Sequence, residues 1–187
     1  MDRRGNKIMK LYVIRHGNTD SNRLDIYNGK LLNEDINDIG IKQAQEASKK
    51  IKNLNLDLII CSPLLRTRHT CDIINSNKIK VIYDDRIEER NCGVLTNTKI
   101  DDFYYTEYWN YYSKVKIDKL ETVPELFKRV NLFLDEIKKK YSGQNILLVT
   151  HGGVARAIHF YFNELPEDGQ VEKYLPDNCE IREYSFN

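Results

Sequence analysis

The sequence predicts a three-layer α/β/α sandwich with a mostly parallel sheet and an edge strand near the C-terminus. Residues 10–17, Lys-Leu-Tyr-Val-Ile-Arg-His-Gly, form a short apolar run that stops at Arg15, His16 and Gly17. Residues 145–153 repeat the design and end in Thr150-His151-Gly152-Gly153. Between them, apolar runs of strand length alternate with stretches of helical period, the pattern of βαβ units in a sheet covered on both faces. A chain of 187 residues also suits one core, burying roughly 70% of its unfolded surface without staples.

The first eight residues are polar, without period, and read as a peripheral extension. After His16 and Gly17 the stretch 18–33 is too rich in Asn and Asp for a regular element, so a loop bordering the strand end is expected. Asn37 is placed to cap a helix whose apolar face is Ile41, Ala44, Ala47 or Ser48, Ile51 and Leu54. Residues 56–61 are a second buried strand. It runs into Ser62-Pro63, read as an N-cap with proline at the first helical position, which puts Arg66 in the first turn. Residues 79–83 form a third strand before the acidic pair Glu88-Glu89.

Residues 95–121 break this rhythm. Phe103, Tyr104, Tyr105, Tyr108, Trp109, Tyr111 and Tyr112 crowd together without strand alternation, as in a partly helical cap inserted into a single domain that spans 1–187. Thr122 and Glu125 form a capping box. A helix face of Leu126, Val130, Phe133, Leu134, Ile137 and Tyr141 follows, and Gly143 ends it. A helix at 154–162 and a final edge strand at 181–186 complete the chain.

Composition narrows the function. The formal net charge of +1 provides no global field to recruit nucleic acid or an anionic membrane, so any phosphate binding is local. Cys61, Cys71, Cys92 and Cys179 form no CxxC pair and no zinc spacing, and read as reduced thiols of an intracellular protein. No apolar run approaches a membrane span, and the N-terminus lacks the apolar block of a signal peptide; a soluble, cytoplasmic protein is expected. Oligomeric state, monomer or dimer, is left open.

Two strand ends at one sheet edge would gather His16, His151, Arg15 and Arg66. Two imidazoles beside two guanidiniums are costly to assemble unless a multiply charged anion balances them, and a phosphoryl group fits. His69 and His159 sit inside helices on amphipathic faces and read as surface or packing residues.

With these residues the chain resembles the histidine phosphatase superfamily, the phosphoglycerate-mutase-like RHG proteins, from Met9 to about Ser185. Arg15-His16-Gly17-Asn18-Thr19 with Asn22, Ser62-Pro63-Leu64-x-Arg66 with Thr70, and Thr150-His151-Gly152-Gly153 match its motifs. Gly40-x-x-Gln43-Ala44 and Asn178-Cys179-x-Ile181 fall in register, and Glu89, four residues before Gly93, stands at the position of the family's acid. The resemblance implies that His16 is the nucleophile, that Arg15, Arg66 and His151 hold the phosphoryl oxygens, and that Glu89 is the general acid and base, with Glu88 its competitor. It also implies substrate contact by Asn22, Thr19 and Gly152, and no metal or other cofactor. Two departures stand out: Val94-Leu95-Thr96-Asn97 follow Gly93 where many relatives carry Glu-Gly or Gln-Gly, and Asp35 replaces a usual proline.

Mutases and phosphatases share this core. A mutase needs a long insertion to keep water from its intermediate, whereas 61 residues separate Glu89 from His151 here and the chain ends soon after its last strand. The expectation is therefore a phosphomonoesterase acting on a small phosphate monoester, α-ribazole phosphatase-like or of broad specificity. A cofactor-dependent phosphoglycerate mutase and a catalytically silent phosphate-binding module are the alternatives.

Overall fold

The computed structural model describes residues 8–100 and 102–186, without the side chains of 102–104. The extension expected at 1–8 lies, apart from Ile8, outside the described residues, as do the side chains of Phe103 and Tyr104.

Among the described residues five strands form one sheet: β1 (Met9–Arg15), β2 (Leu58–Cys61), β3 (Val81–Tyr83), β4 (Asn145–Thr150) and β5 (Ile181–Phe186). Their order across the sheet is β3-β2-β4-β1-β5. The first four run parallel, and β5 pairs antiparallel with β1 at the edge. Strands β2 and β4 are buried along their whole length, which is why they read as unbroken apolar runs rather than alternating ones.

Among the described residues six α-helices accompany the sheet: α1 (Asp20–Arg23), α2 (Asp38–Ile51), α3 (Leu65–Ile74), α4 (Asp102–Tyr108), α5 (Val123–Lys140) and α6 (Gly152–Phe162). Alternate strand residues face opposite layers. Leu11, Val13, Leu58, Ile60, Ile146 and Leu148 pack with α5 and α6, and with Tyr108 and Trp109 from the end of α4. Tyr12, Ile14, Ile59, Cys61, Leu147 and Val149 pack with α2 and α3. This is the expected three-layer sandwich. No helix among the described residues is long and apolar enough to cross a membrane.

Most elements start where their caps dictate. The Asn37 side chain accepts from the amides of Ile39 and Gly40 at 3.0 Å each, and Thr122 and Glu125 close the capping box of α5. Some details differ from expectation: β2 and β3 start two residues late, at Leu58 and Val81, and α2 and α5 end at Ile51 and Lys140, short of Leu54 and Tyr141. The loop at 18–33 contains the single-turn helix α1, because Thr19 and Asn22 bond reciprocally across its first turn. Ser62 does not cap α3 and Pro63 is not its first residue: the helix starts at Leu65 with Leu64 as N-cap and no side-chain cap bond, and the Ser62 hydroxyl meets the Leu64 amide and Nε2 of His151. Helix α6 begins two residues early, at Gly152, with His151 as N-cap.

Candidate active site

Strands β1 and β4 are neighbours in register, Arg15 opposite Thr150, so their carboxyl ends deliver the two histidines side by side. The His16 amide continues the ladder to the Thr150 carbonyl at 2.9 Å. The two rings lie with centroids 5.3 Å apart, both essentially buried. The tight turn after His16 depends on Gly17. A Cβ there would run into the Gly40 backbone, and the converse holds, because the start of α2 crosses this turn at backbone contact.

His16, Arg15, Arg66, Glu89, Asn22 and Gly152 all line one cavity of about 560 Å³. His16 Nδ1 lies 2.8 Å from the Gly17 carbonyl. A carbonyl only accepts, so the proton sits on Nδ1 and Nε2 keeps its lone pair. Burial, with Arg66 and Arg15 nearby, holds the His16 pKa well below its ordinary value, so the ring is neutral at physiological pH. Burial, Arg66 and His16 do the same for His151.

His151 is fully buried beside His16 and does not itself line the cavity. Its Nε2 lies 2.8 Å from the Ser62 hydroxyl. The arginines are anchored by neutral acceptors: Arg66 donates to the carbonyls of Leu32 and Gly29, and Arg15 to that of Pro176. Burial brings the Arg66 pKa down to about 10, which leaves it charged at neutral pH. Among the described residues, Arg15 Nε, Arg66 Nε and His151 Nδ1 are buried without a partner. Each such group costs about 1–3 kcal/mol when left unpaired, and together they offer a cluster of donors suited to an anion.

Glu89 is held by backbone amides. Gly153 N lies 3.1 Å from both carboxylate oxygens, and the Arg90 amide donates to Oε1 at 2.8 Å. A Cβ at Gly153 would strike that carboxylate and the Trp109 ring, so this glycine lets the acid sit against the start of α6. Glu88 instead faces Lys30, 3.6 Å away, and does not line the cavity.

Thr19 is fully buried and does not line the cavity. It caps α1 and so supports Asn22, which lines the cavity. Asn22 is further tied by Asn178 Nδ2, which also donates to the His16 carbonyl at 2.9 Å. Asp35, at the position of the usual proline, pairs with His69 at 2.9 Å on the surface. His159 stacks on Tyr174, away from the cavity.

Three contributors were missed in the sequence. Ser62 reaches His151, Asn178 braces the β1 end, and Arg156, 2% exposed, lines the cavity with its guanidinium over Trp109 at 4.0 Å. For Arg156 a signal existed: it lies four residues after Gly152, on the same helical face, as the one charge in an apolar segment.

Fold and site together define an α/β protein with paired histidines at the carboxyl edge of a parallel sheet. More particularly, the chain belongs to the histidine phosphatase superfamily (branch 1), whose family model matches residues 11–187. It is 30% identical over 185 residues to phosphoserine phosphatase 1 of Hydrogenobacter thermophilus, covering 95% of this chain and 85% of that one. It is 32% identical over 152 residues to the protein named "Probable phosphoglycerate mutase GpmB" of Yersinia pestis, covering 78% and 70%. Among solved structures, a mycobacterial glucosyl-3-phosphoglycerate phosphatase shares the fold with a TM-score of 0.81 at 19% identity, covering 95% of this chain and 90% of that one.

Proposed function

We propose that the chain is a phosphomonoesterase that hydrolyses a small phosphorylated metabolite through a phosphohistidine on His16. The observation that carries this reading is the His16 tautomer: a neutral ring whose Nδ1 proton is held by the Gly17 carbonyl presents an unprotonated Nε2. Its neighbours are buried donors with no protein acceptor.

In the first step Nε2 attacks phosphorus, the P–O bond to the leaving group breaks, and Glu89 gives its proton to the departing oxygen. In the second, water attacks the phosphohistidine, the P–N bond breaks, and the water proton passes to Glu89. Arg15 and Arg66 hold the phosphoryl oxygens through Nε, and preorganised donors of this kind supply the largest share of such catalysis. With the Ser62 hydroxyl donating to Nε2 of His151, Nδ1 of that ring carries a proton for the same oxygens. Asn22 lines the cavity beside them, and the Gly152 backbone, at the start of α6, offers a further contact.

The phosphoserine phosphatase relative, which aligns over nearly the whole chain, supports hydrolysis. The relative named for mutase activity supports a second reading, in which the phosphoryl group returns to the sugar acid. Incubation with 3-phosphoglycerate separates them. Hydrolysis releases inorganic phosphate and glycerate, and His16→Ala abolishes it; accumulation of 2-phosphoglycerate without phosphate release would establish the mutase instead. The substrate is a free small molecule, and the expected setting is the cytoplasm.

A further inference from the structure

Arg156 is a buried cation that the hydrolytic steps above do not use. It is 2% exposed and lines the cavity that holds His16. Its partners are neutral. Nε and Nη2 donate to the Glu172 carbonyl at 3.3 and 2.9 Å, and Nη2 also to the Tyr105 hydroxyl at 3.0 Å. One face of the guanidinium lies on Trp109. Nη1 takes part in none of these bonds. Arg90, the other buried arginine nearby, differs. It does not line the cavity, and it donates to the carbonyls of Glu121 and Tyr108.

A buried charge without a carboxylate partner is destabilising unless a ligand supplies the counter-charge. Arg15 and Arg66 already match a phosphoryl dianion. Among the described residues, two carboxylates line the cavity, Glu89 and Asp25. The first is held by the amides of Gly153 and Arg90, and the second is exposed. Arg156 is therefore a third cation in excess of what the phosphoryl group requires. It sits one helical turn along α6 from Gly152, which lines the same cavity.

We propose that Arg156 and Tyr105 form a second anion site, which reads a carboxylate on the leaving group of the substrate. This rests on the hydrolytic reading above and names its substrate class: phosphate esters of small hydroxy acids or hydroxy amino acids. Charge selects a carboxylate over a second phosphate. The Tyr105 hydroxyl accepts from Arg156, so its own proton is available beside the two N–H of Nη1. The single positive charge of Arg156 balances a carboxylate monoanion, whereas a phosphate dianion would stay half neutralised. The apolar wall of Trp109, Tyr108 and Ile100 excludes water from the contact and strengthens it.

The test compares 3-phosphoglycerate with glycerol 3-phosphate, which carry a carboxylate and a hydroxymethyl group at the same position, with p-nitrophenyl phosphate as a separate report on the phosphoryl site. The wild-type chain is expected to favour 3-phosphoglycerate in kcat/KM by roughly ten- to a hundredfold, the range of a charge-assisted hydrogen bond. Arg156→Gln and Tyr105→Phe should each shrink that ratio toward one, chiefly through KM. Tyr105→Phe keeps the ring packing and guards against misfolding of the arginine variant. A wild-type ratio near one, or variants that lose both alkyl substrates in proportion, would overturn the proposal while His16-dependent p-nitrophenyl phosphate hydrolysis left the phosphatase reading standing. If no ester is hydrolysed, that reading fails. Calorimetric binding of the same two esters then decides the present one, and equal affinity overturns it.

Discussion

Glu88 and Glu89 are adjacent, yet their surroundings separate them. Glu89 sits in the cavity with both oxygens on the Gly153 amide, whereas Glu88 faces Lys30. A general acid matters most when the departing oxygen is a poor leaving group. Glu89→Gln should therefore slow alkyl phosphates by roughly two to four orders of magnitude and p-nitrophenyl phosphate far less. Glu88→Gln should leave both rates nearly as they were. An alkyl-selective defect in the Glu88 variant would reassign the acid. At this scale the sequence was most legible where chemistry is carried by residue type at a strand end: His16, His151 and the two arginines announce themselves. Ser62 was misread because a serine before Pro63 has the pattern of a helix cap. Only the fold brings His151, 89 positions away in the chain, within 2.8 Å of its hydroxyl. The one-turn helix that the Thr19 hydroxyl closes was not legible, since the composition of that stretch suggested only loop.

Among the elements, the segment carrying Glu89 has no regular structure of its own beyond a short 3-10 turn at Asp85–Ile87, so other elements must fix it. Helix α5 does so through Arg129. This side chain donates to the carbonyls of Arg86 and Glu88 at 2.7 and 3.1 Å and makes a two-pronged bond to Glu121. Glu121 in turn accepts from the Asn91 amide at 3.2 Å, and β4 adds a bond from the Thr150 hydroxyl to the Ile87 carbonyl. Arg129→Met should therefore loosen the acid without touching substrate. The expected result is a roughly ten- to hundredfold loss on alkyl phosphates, with a smaller loss on p-nitrophenyl phosphate. Equal losses on both would mean that the clasp supports the fold and not the acid. The strands and the long helices were legible because period and caps are local properties. The clasp was not, because Arg129 lies on a helix whose apolar face alone was readable. Its partners come from a segment some 40 residues earlier.

Across the whole molecule, the site has a cost in acid. His16 and His151 are held neutral inside the fold, well below the ordinary 6.5, by burial first and by neighbouring cations next. The unfolded chain returns both to that ordinary value. Their contribution is thus complete above about pH 6.5 and is lost as pH falls below it, where the unfolded state takes up protons that the native state refuses. The slope is about 1.4 kcal/mol per pH unit for each fully titrating histidine. Urea melts of the wild-type chain should show falling stability between about pH 6.5 and 5, and His16→Asn should flatten that slope by up to one proton. An unchanged slope in the variant would mean that His16 is not buried as a neutral ring. The three-layer architecture itself was legible at this scale. The aromatic stretch was legible only as an irregularity, and its Tyr108 and Trp109 prove to be both core and cavity wall.

The claim on which the rest depends is that Nε2 of His16 takes the phosphoryl group. The most direct measurement is rapid acid-free quenching of the wild-type chain during turnover of p-nitrophenyl phosphate, followed by mass spectrometry of its peptides and by acid treatment of a parallel sample. The account predicts one added phosphoryl group on the peptide bearing His16, stable in base and lost in mild acid, and absent from His16→Ala. Phosphate release in which no phosphorylated His16 peptide forms, or an adduct that persists in the His16→Ala chain, would contradict it.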